Sequence, residues 1–340
     1  MRLNVGSIGL WEKAERSIVS PDYIVFKCKQ RDMLPKFLDF FRMTEAWDAQ
    51  IKQSGQGSVR IRYYFHHIAK FVIPLPPLPE QRAIARALRA VQGAREARLR
   101  ELALERERKA AFMEHLFTHG TRGEATKQTE IGEMPESCQV VKLGEVVAST
   151  QYGLSVCGNL EGNYPILRMN CLVEGRVNDS NLQFVDLTKT DFENFRLNKG
   201  DILFNRTNSS DLVGKTGLFN LEGNFVFASY LIRIAVDKNR LSPEFINYYI
   251  NMNSTQTRLR MLASRGVSQS NINATKLKGF LIPLPQIPEQ QAIAIILNAC
   301  DSKIIALDHE ARLLEELFRA MLEELMRGRL QVRALVENPA

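Results

Sequence analysis

Apolar residues in the last part of the chain fall at Ile293, Leu297, Cys300, Ile304, Leu307, Ala311, Leu314, Phe318, Met321 and Leu325, in alternating steps of four and three. That rhythm keeps one apolar edge along a helix for nearly five heptads, so it predicts a long helix over 289–327 with a coiled-coil seam. A second periodic stretch covers 80–118, with Ile84, Leu88, Val91, Leu99, Leu102, Phe112, Met113 and Leu116 as its apolar positions and no proline inside it. A helix of that length spans roughly 55–60 Å at ~1.5 Å per residue. Moved back by 209 positions, the C-terminal seam lands on Ile84, Leu88, Val91, Arg95, Arg98, Leu102, Glu105, Lys109, Phe112 and Leu116. The ends match and the middle is polar. The simplest arrangement pairs the two helices antiparallel in one coiled coil, weakest at its centre.

The same 209-residue shift relates two proline-rich stretches, VIPLPPLPEQ at 72–81 and LIPLPQIPEQ at 281–290, each running into one of the helices. Prolines at three or more positions of a short apolar run exclude a helix interior or a central strand and favour a stiff, extended connector. The last proline and the glutamate after it suit a first helical turn. Each stretch is therefore read as a rigid elbow that launches a helix in a fixed direction.

Between these markers the pattern is mixed. Residues 119–137 are polar and read as a linker. Residues 138–280 carry short apolar runs at 140–143, 164–169, 201–205, 217–219, 225–227 and 230–236, separated by glycine and Asn/Asp turns, and helical patterns at 243–251 and 254–262. They predict one complete, strand-rich domain. Residues 1–71 read as a partial domain: a strand at 17–29 broken by Pro21, a short helix at 34–51, then SGQGS and a basic, aromatic run with Arg60, Arg62, Tyr63, Tyr64, His66, His67 and Lys70. That run fits a phosphate-facing surface and a solvated domain edge equally well. Residues 17–71 repeat only the second half of the domain before the second elbow, with Tyr23 against Tyr230 and Pro35 against Pro243. The first domain is thus expected to begin partway through. The residues after the second helix, 328–340, form a tail. The expected fold class is α+β: a strand-rich domain, two long helices and a partial second domain.

Composition narrows the class further. The chain has 340 residues, enough for two domains, and a net charge of +7, which is compatible with nucleic acid without requiring it. Its five cysteines are scattered with no zinc spacing, which favours reduced thiols in the cytoplasm, and no membrane span or signal peptide is apparent. Gly214-Lys215-Thr216 resembles the end of a phosphate loop, but the glycine needed five positions earlier is Ser209. The five histidines form no ligand cluster, and no catalytic triad or paired-carboxylate arrangement stands out.

The distinctive stretch is KGDILFNRTNSSDLVGKTG at 199–217. An apolar run ends in Asn205, Arg206, Thr207, Asn208 and Ser209, with Lys199 and Lys215 adding positive charge. Ser268, Gln269, Asn271 and Asn273 make a second polar run before the second elbow. Arginine pairs with guanine and asparagine with adenine at their exposed edges, and hydroxyls reach phosphates or bases. Loops that cap turns and bind nothing have the same composition.

With the paired elbows, the long helices, the 199–217 stretch and VKLGE at 141–145, the chain resembles the specificity subunits of type I restriction–modification enzymes. The resemblance implies two target recognition domains that each read half of a bipartite double-stranded DNA target. It implies antiparallel helices that act as a ruler and dock two modification subunits. Those partners would carry methyl transfer from S-adenosylmethionine, and restriction subunits would use ATP and Mg for translocation and cleavage; no catalytic, cofactor or metal residue falls on this chain. The short first domain departs from the family pattern and leaves three readings open: a truncated product, self-association of such chains, and an assembly scaffold that binds modification subunits without reading sequence.

Overall fold

The computed structural model describes residues 8–20, 23–54, 65–265 and 269–331. The chain divides into two compact units, one made of Met1–Leu104 with Ile304–Ala340 and the other of Glu105–Lys303. Helices α1 (Pro35–Phe41), α2 (Glu45–Ser54) and α3 (Phe65–Ile68) lead into α4 (Leu78–His119). Next come β1 (Thr126–Thr129), β2 (Gly132–Pro135), β3 (Gln139–Lys142), β4 (Val147–Tyr152), β5 (Tyr164–Leu167), β6 (Leu172–Val173), β7 (Arg176–Val177) and β8 (Gln183–Val185). After α5 (Lys189–Phe195) follow β9 (Ile202–Asn205), β10 (Thr207–Asn208), β11 (Thr216–Leu218), β12 (Val226–Phe227) and β13 (Leu231–Val236). The remaining elements are α6 (Pro243–Asn251), α7 (Asn253–Leu262), β14 (Ser264–Arg265), β15 (Ser270–Asn271), α8 (Ala274–Lys278), β16 (Leu281–Leu284) and α9 (Ile287–Met326).

Among the described residues of the first unit, the regular elements are all helices, joined by irregular stretches. Phe37, Phe40 and Phe41 of α1 and Trp47 and Ile51 of α2 bury against Ile84 and Leu88 of α4 and Leu322, Leu325 and Met326 of α9. The helix expected over 34–51 is divided: Thr44 Oγ1 donates to Phe41 O at 2.7 Å and accepts Trp47 N–H at 3.3 Å, which ends one helix and caps the next. The turn brings Trp47 edge-on to Phe41 at 6.2 Å. The strand expected over 17–29 does not form among its described residues, and Ile18, Tyr23 and Val25 are exposed. Pro21 and the run 55–64, with Arg60, Arg62, Tyr63 and Tyr64, lie outside the described residues. Further along, Leu102 of α4 packs with Ile304 and Leu307 of α9. Arg95 meets Glu315 at 3.0 Å and Arg98 meets Glu310 at 2.7 Å. A step forward on α4 matches a step backward on α9, so the helices are antiparallel in this unit.

In the second unit a six-stranded sheet runs in the order β4-β13-β9-β11-β7-β6. Its core gathers Ile202, Phe204, Ile232 and Ile234 from the sheet with Phe245 and Tyr249 of α6, Met113, Leu116 and Phe117 of α4, and Ile293 and Leu297 of α9. At the end of the seam on α4, Phe112 is exposed, while Leu116 is buried together with Met113 and Phe117. The polar seam positions have charged partners here too. Lys109 Nζ meets Asp301 at 2.5 Å, and Glu105 meets Lys303 Nζ at 2.6 Å, again antiparallel. Tyr248 of α6 donates to Asp301 Oδ2 at 2.7 Å. Burial, then the Asp301 carboxylate beside it, push the Tyr248 phenol well above its ordinary range.

Residues 119–137 are folded, contrary to the linker reading: β1 and β2 form an antiparallel hairpin, and Thr121 N–H and Oγ1 both donate to the Glu289 carboxylate at the start of α9. The second elbow is also more than a connector. Leu281–Leu284 pairs antiparallel with Gln139–Lys142 in a two-stranded sheet, which tolerates Pro283 because no further strand needs its missing N–H.

Both elbows are locked by a residue that their composition hides. Gln81 and Gln290 are fully buried. Gln81 Oε1 accepts Leu34 N–H at 2.8 Å, and its Nε2 donates to Asp32 O at 2.9 Å and Pro76 O at 2.8 Å. Gln290 does the same with Ser242 N–H at 2.8 Å, Arg240 O at 3.0 Å and Pro285 O at 2.8 Å. Leu34 and Ser242 are the N-cap residues of α1 and α6, each followed by proline. In each unit one carboxamide thus ties the elbow to the start of the helix packed beneath it.

Candidate nucleic-acid interface

Strand β9 organises the candidate residues and also separates them. Ile202, Leu203, Phe204 and Asn205 are all buried between β13 and β11. Lys199 precedes the strand and Arg206 follows it, on opposite sides of a four-residue strand roughly 13 Å long at ~3.3 Å per residue. Lys199 is paired with the Glu222 carboxylate at the far end and leaves the group.

At the near end the chain continues into β10, which joins β15 and β14 in a small three-stranded sheet. Thr207 lies opposite Asn271 and Asn208 opposite Ser270. Asn271 Nδ2 donates to Thr207 Oγ1 at 2.6 Å. The two polar runs, more than 60 positions apart in sequence, therefore form one surface. Arg206 is fixed on both sides: its amide donates to Tyr230 O at 3.0 Å, and its carbonyl accepts Ile272 N–H at 2.9 Å. Its guanidinium lies 4.8 Å over the Tyr152 ring, and Nη1 donates to Ser229 O at 3.2 Å. Tyr152 is held in turn, because its hydroxyl accepts Ala274 N–H at 2.9 Å. Gly153 must follow it, since a Cβ there would come within 2.3 Å of Ala228 O.

Two candidates have structural duties instead. Asn205 is 3% exposed, and its Nδ2 donates to Leu212 O at 3.2 Å, closing the turn between β9 and β11. Gly214, with φ +91°, completes that turn and leads into strand β11, which is a different context from a phosphate loop. Asn273 caps α8 by accepting Lys276 N–H at 2.8 Å. Ser268 lies outside the described residues. Arg206, Thr207, Asn208, Ser209 and Asn271 are brought together; Ser209, Lys215 and Gln269 are exposed, and Arg206, Thr207, Asn208 and Asn271 are half-buried. Lys215 makes no ion pair among the described residues.

Three neighbours were not among the contact candidates read from the sequence. Tyr152 and Tyr230 flank Arg206 and are 42% and 46% exposed, and Met169 touches Asn208. Only an exposed aromatic next to a glycine or serine hinted at the first two. Chemically, the surface offers guanidinium, carboxamide and hydroxyl groups on a sheet. Such a set donates to phosphates and pairs with base edges. Among the described residues no group of three or more His, Cys, Asp or Glu could hold a metal ion.

Residues 2–103 and 135–317 match the type I restriction modification DNA specificity domain, and the chain belongs to that family. It is 31% identical over 202 residues to the type I restriction enzyme MjaX specificity subunit of Methanocaldococcus jannaschii, covering 58% of this chain and 48% of that protein. To the type I restriction enzyme EcoKI specificity subunit of Escherichia coli K12 it is 26% identical over 280 residues, covering 78% and 59%. The chain therefore spans about half to three fifths of the length of these relatives. Its fold is similar to the type I restriction-modification system S subunit from M. genitalium, with a TM-score of 0.57 and 14% identity, over 88% of this chain and 74% of that one.

Proposed function

We propose that this chain is the DNA-reading subunit of a type I restriction–modification complex. The observation that carries this reading is the surface where β10 and β15 join Arg206, Thr207, Asn208 and Asn271, set on a rigid sheet within a chain of the specificity-domain family. Basic groups engage backbone phosphates and set register; carboxamides and the guanidinium then select bases. The second unit reads one half of a bipartite duplex target, and the elbow-launched helices set the distance to the other half. The helices also dock two modification subunits, which carry S-adenosylmethionine chemistry, and through them the restriction subunits, which use ATP and Mg. The chain itself supplies no catalytic step and works in the cytoplasm.

A random duplex pool offered to the chain, co-expressed with its modification subunits, tests this. Enrichment of a defined motif supports it, and assembly without enrichment overturns it. One observation favours the second outcome for the first unit alone: among its described residues the regular elements are helices, with no strand pair like β10–β15. In that reading the first unit serves assembly and the second does the reading.

A further inference from the structure

Met169 shares the polar surface without being polar. It opens the short turn Met169–Cys171 after β5, is 36% exposed, and belongs to none of the buried apolar clusters. Its Sδ accepts an N–H from Asn208 Nδ2 at 3.2 Å. The turn is fixed from beneath. Cys171 is buried and donates its amide to Arg168 O at 2.9 Å, while Arg168 Nη2 donates to Asn181 O at 3.1 Å. Asn208 is oriented as well, because its Oδ1 accepts Ser209 N–H at 2.8 Å. A thioether and a carboxamide thus stand side by side at a partly exposed position, and burial alone does not account for the thioether.

The major-groove edge of an A·T pair presents the adenine N7 acceptor, the adenine N6 donor, the thymine O4 acceptor and the thymine C5-methyl group. A carboxamide meets the first two, and Asn208 keeps one Nδ2 hydrogen and one Oδ1 lone pair for them. The methyl group needs an apolar contact, and a polarizable methionine adapts readily to one. We propose that Met169 is a specificity-determining residue, its terminal methyl meeting the C5-methyl of a thymine beside the adenine edge that Asn208 reads. This rests on the base-reading role proposed for the surface and narrows its target to half-sites containing an A·T pair there.

Replacing each thymine of the enriched half-site in turn by uracil removes only the methyl group. Wild-type chain is expected to lose about fourfold in affinity at one position, the equivalent of the ~0.8 kcal/mol supplied by burying one methylene-sized group. Met169→Ala should bind the thymine and uracil duplexes equally. Asn208→Ala should keep the thymine preference while losing that for adenine, an effect that a merely structural Met169 would not produce. Wild-type binding indifferent to uracil at every position overturns the proposal, as does a thymine preference that survives in Met169→Ala. A pool that enriches no motif overturns the base-reading role and this inference together, whereas an enriched motif indifferent to the methyl group overturns the Met169 role alone.

Discussion

Gln290 Oε1 accepts the backbone N–H of Ser242 at 2.8 Å, inside a protein interior where neither group meets solvent. The same side chain holds Arg240 O and Pro285 O, so one carboxamide satisfies three backbone groups. Gln81 repeats the arrangement in the first unit. Gln290→Ala would strand those groups and should cost roughly 2–4 kcal/mol. Urea denaturation of Gln290→Ala and of the matching Gln81→Ala checks this. A loss below about 1 kcal/mol for either would mean that the elbow is held by its prolines and not by the glutamine.

Asp301 is the hub of the polar contacts between α4 and α9 in the second unit. It binds Lys109 at 2.5 Å and Tyr248 at 2.7 Å, with the Arg176 guanidinium at 3.3 Å. Asp301→Ala leaves a part-buried ammonium and the buried Tyr248 hydroxyl without this partner and should cost about 2–4 kcal/mol. Lys109→Met combined with Asp301→Leu should recover part of that loss, because the paired charges vanish together while the Tyr248 contact stays lost. By contrast Arg98, whose pairing with Glu310 is largely solvated, should cost about 0–1 kcal/mol when changed to Ala. Equal losses at Asp301 and Arg98 would contradict this ranking.

Asp201 gives stability a dependence on pH. Burial holds its carboxyl above the ordinary value of 3.8, against the lowering effects of the Asn198 amide at 2.8 Å and the Arg233 guanidinium at 4.0 Å. The folded form therefore binds this proton more tightly than the unfolded chain does. Its contribution is present below pH 3.8 and is lost as pH rises through the folded value. Asp201→Asn should remove that slope. The variant's stability relative to wild type should rise between pH 4 and pH 7 in denaturation series, and a constant difference would contradict the assignment.

Cys138 is buried, and burial pushes its thiol up to about 11, whereas Cys157 is exposed. Thiol labelling of folded protein at about pH 8 should modify Cys157 within minutes and leave Cys138 until the chain is unfolded. Peptide mass mapping distinguishes the two.

The long helices were legible because a seam of four- and three-residue steps has one meaning over such a length. Their polar centre was legible only as a weakness, since the partner of each charge lies on the other helix: Arg95 needs Glu315, and Lys109 needs Asp301. The hairpin at 126–135 escaped notice because strands of mixed polarity carry no alternation, and the strand at 281–284 was masked by its prolines. In the candidate site, residue type was informative and position was not. Arg206, Asn208 and Asn271 were picked by chemistry and do come together, but Lys199 fell at the wrong end of a buried strand, and Asn205 and Asn273 turned inward to close a turn and cap a helix. Met169 gave no signal, because an exposed methionine is visible only once a fold places it beside Asn208.

The central claim is that the β10–β15 surface selects bases. Affinities of wild-type chain and Asn208→Ala for the enriched duplex and for a scrambled duplex, at one salt concentration, test it most directly. The account predicts that the substitution weakens the enriched duplex by about tenfold or more, in the ~1–3 kcal/mol range of a paired base contact, and leaves the scrambled duplex unchanged. Equal losses on both duplexes, or none on either, would contradict it.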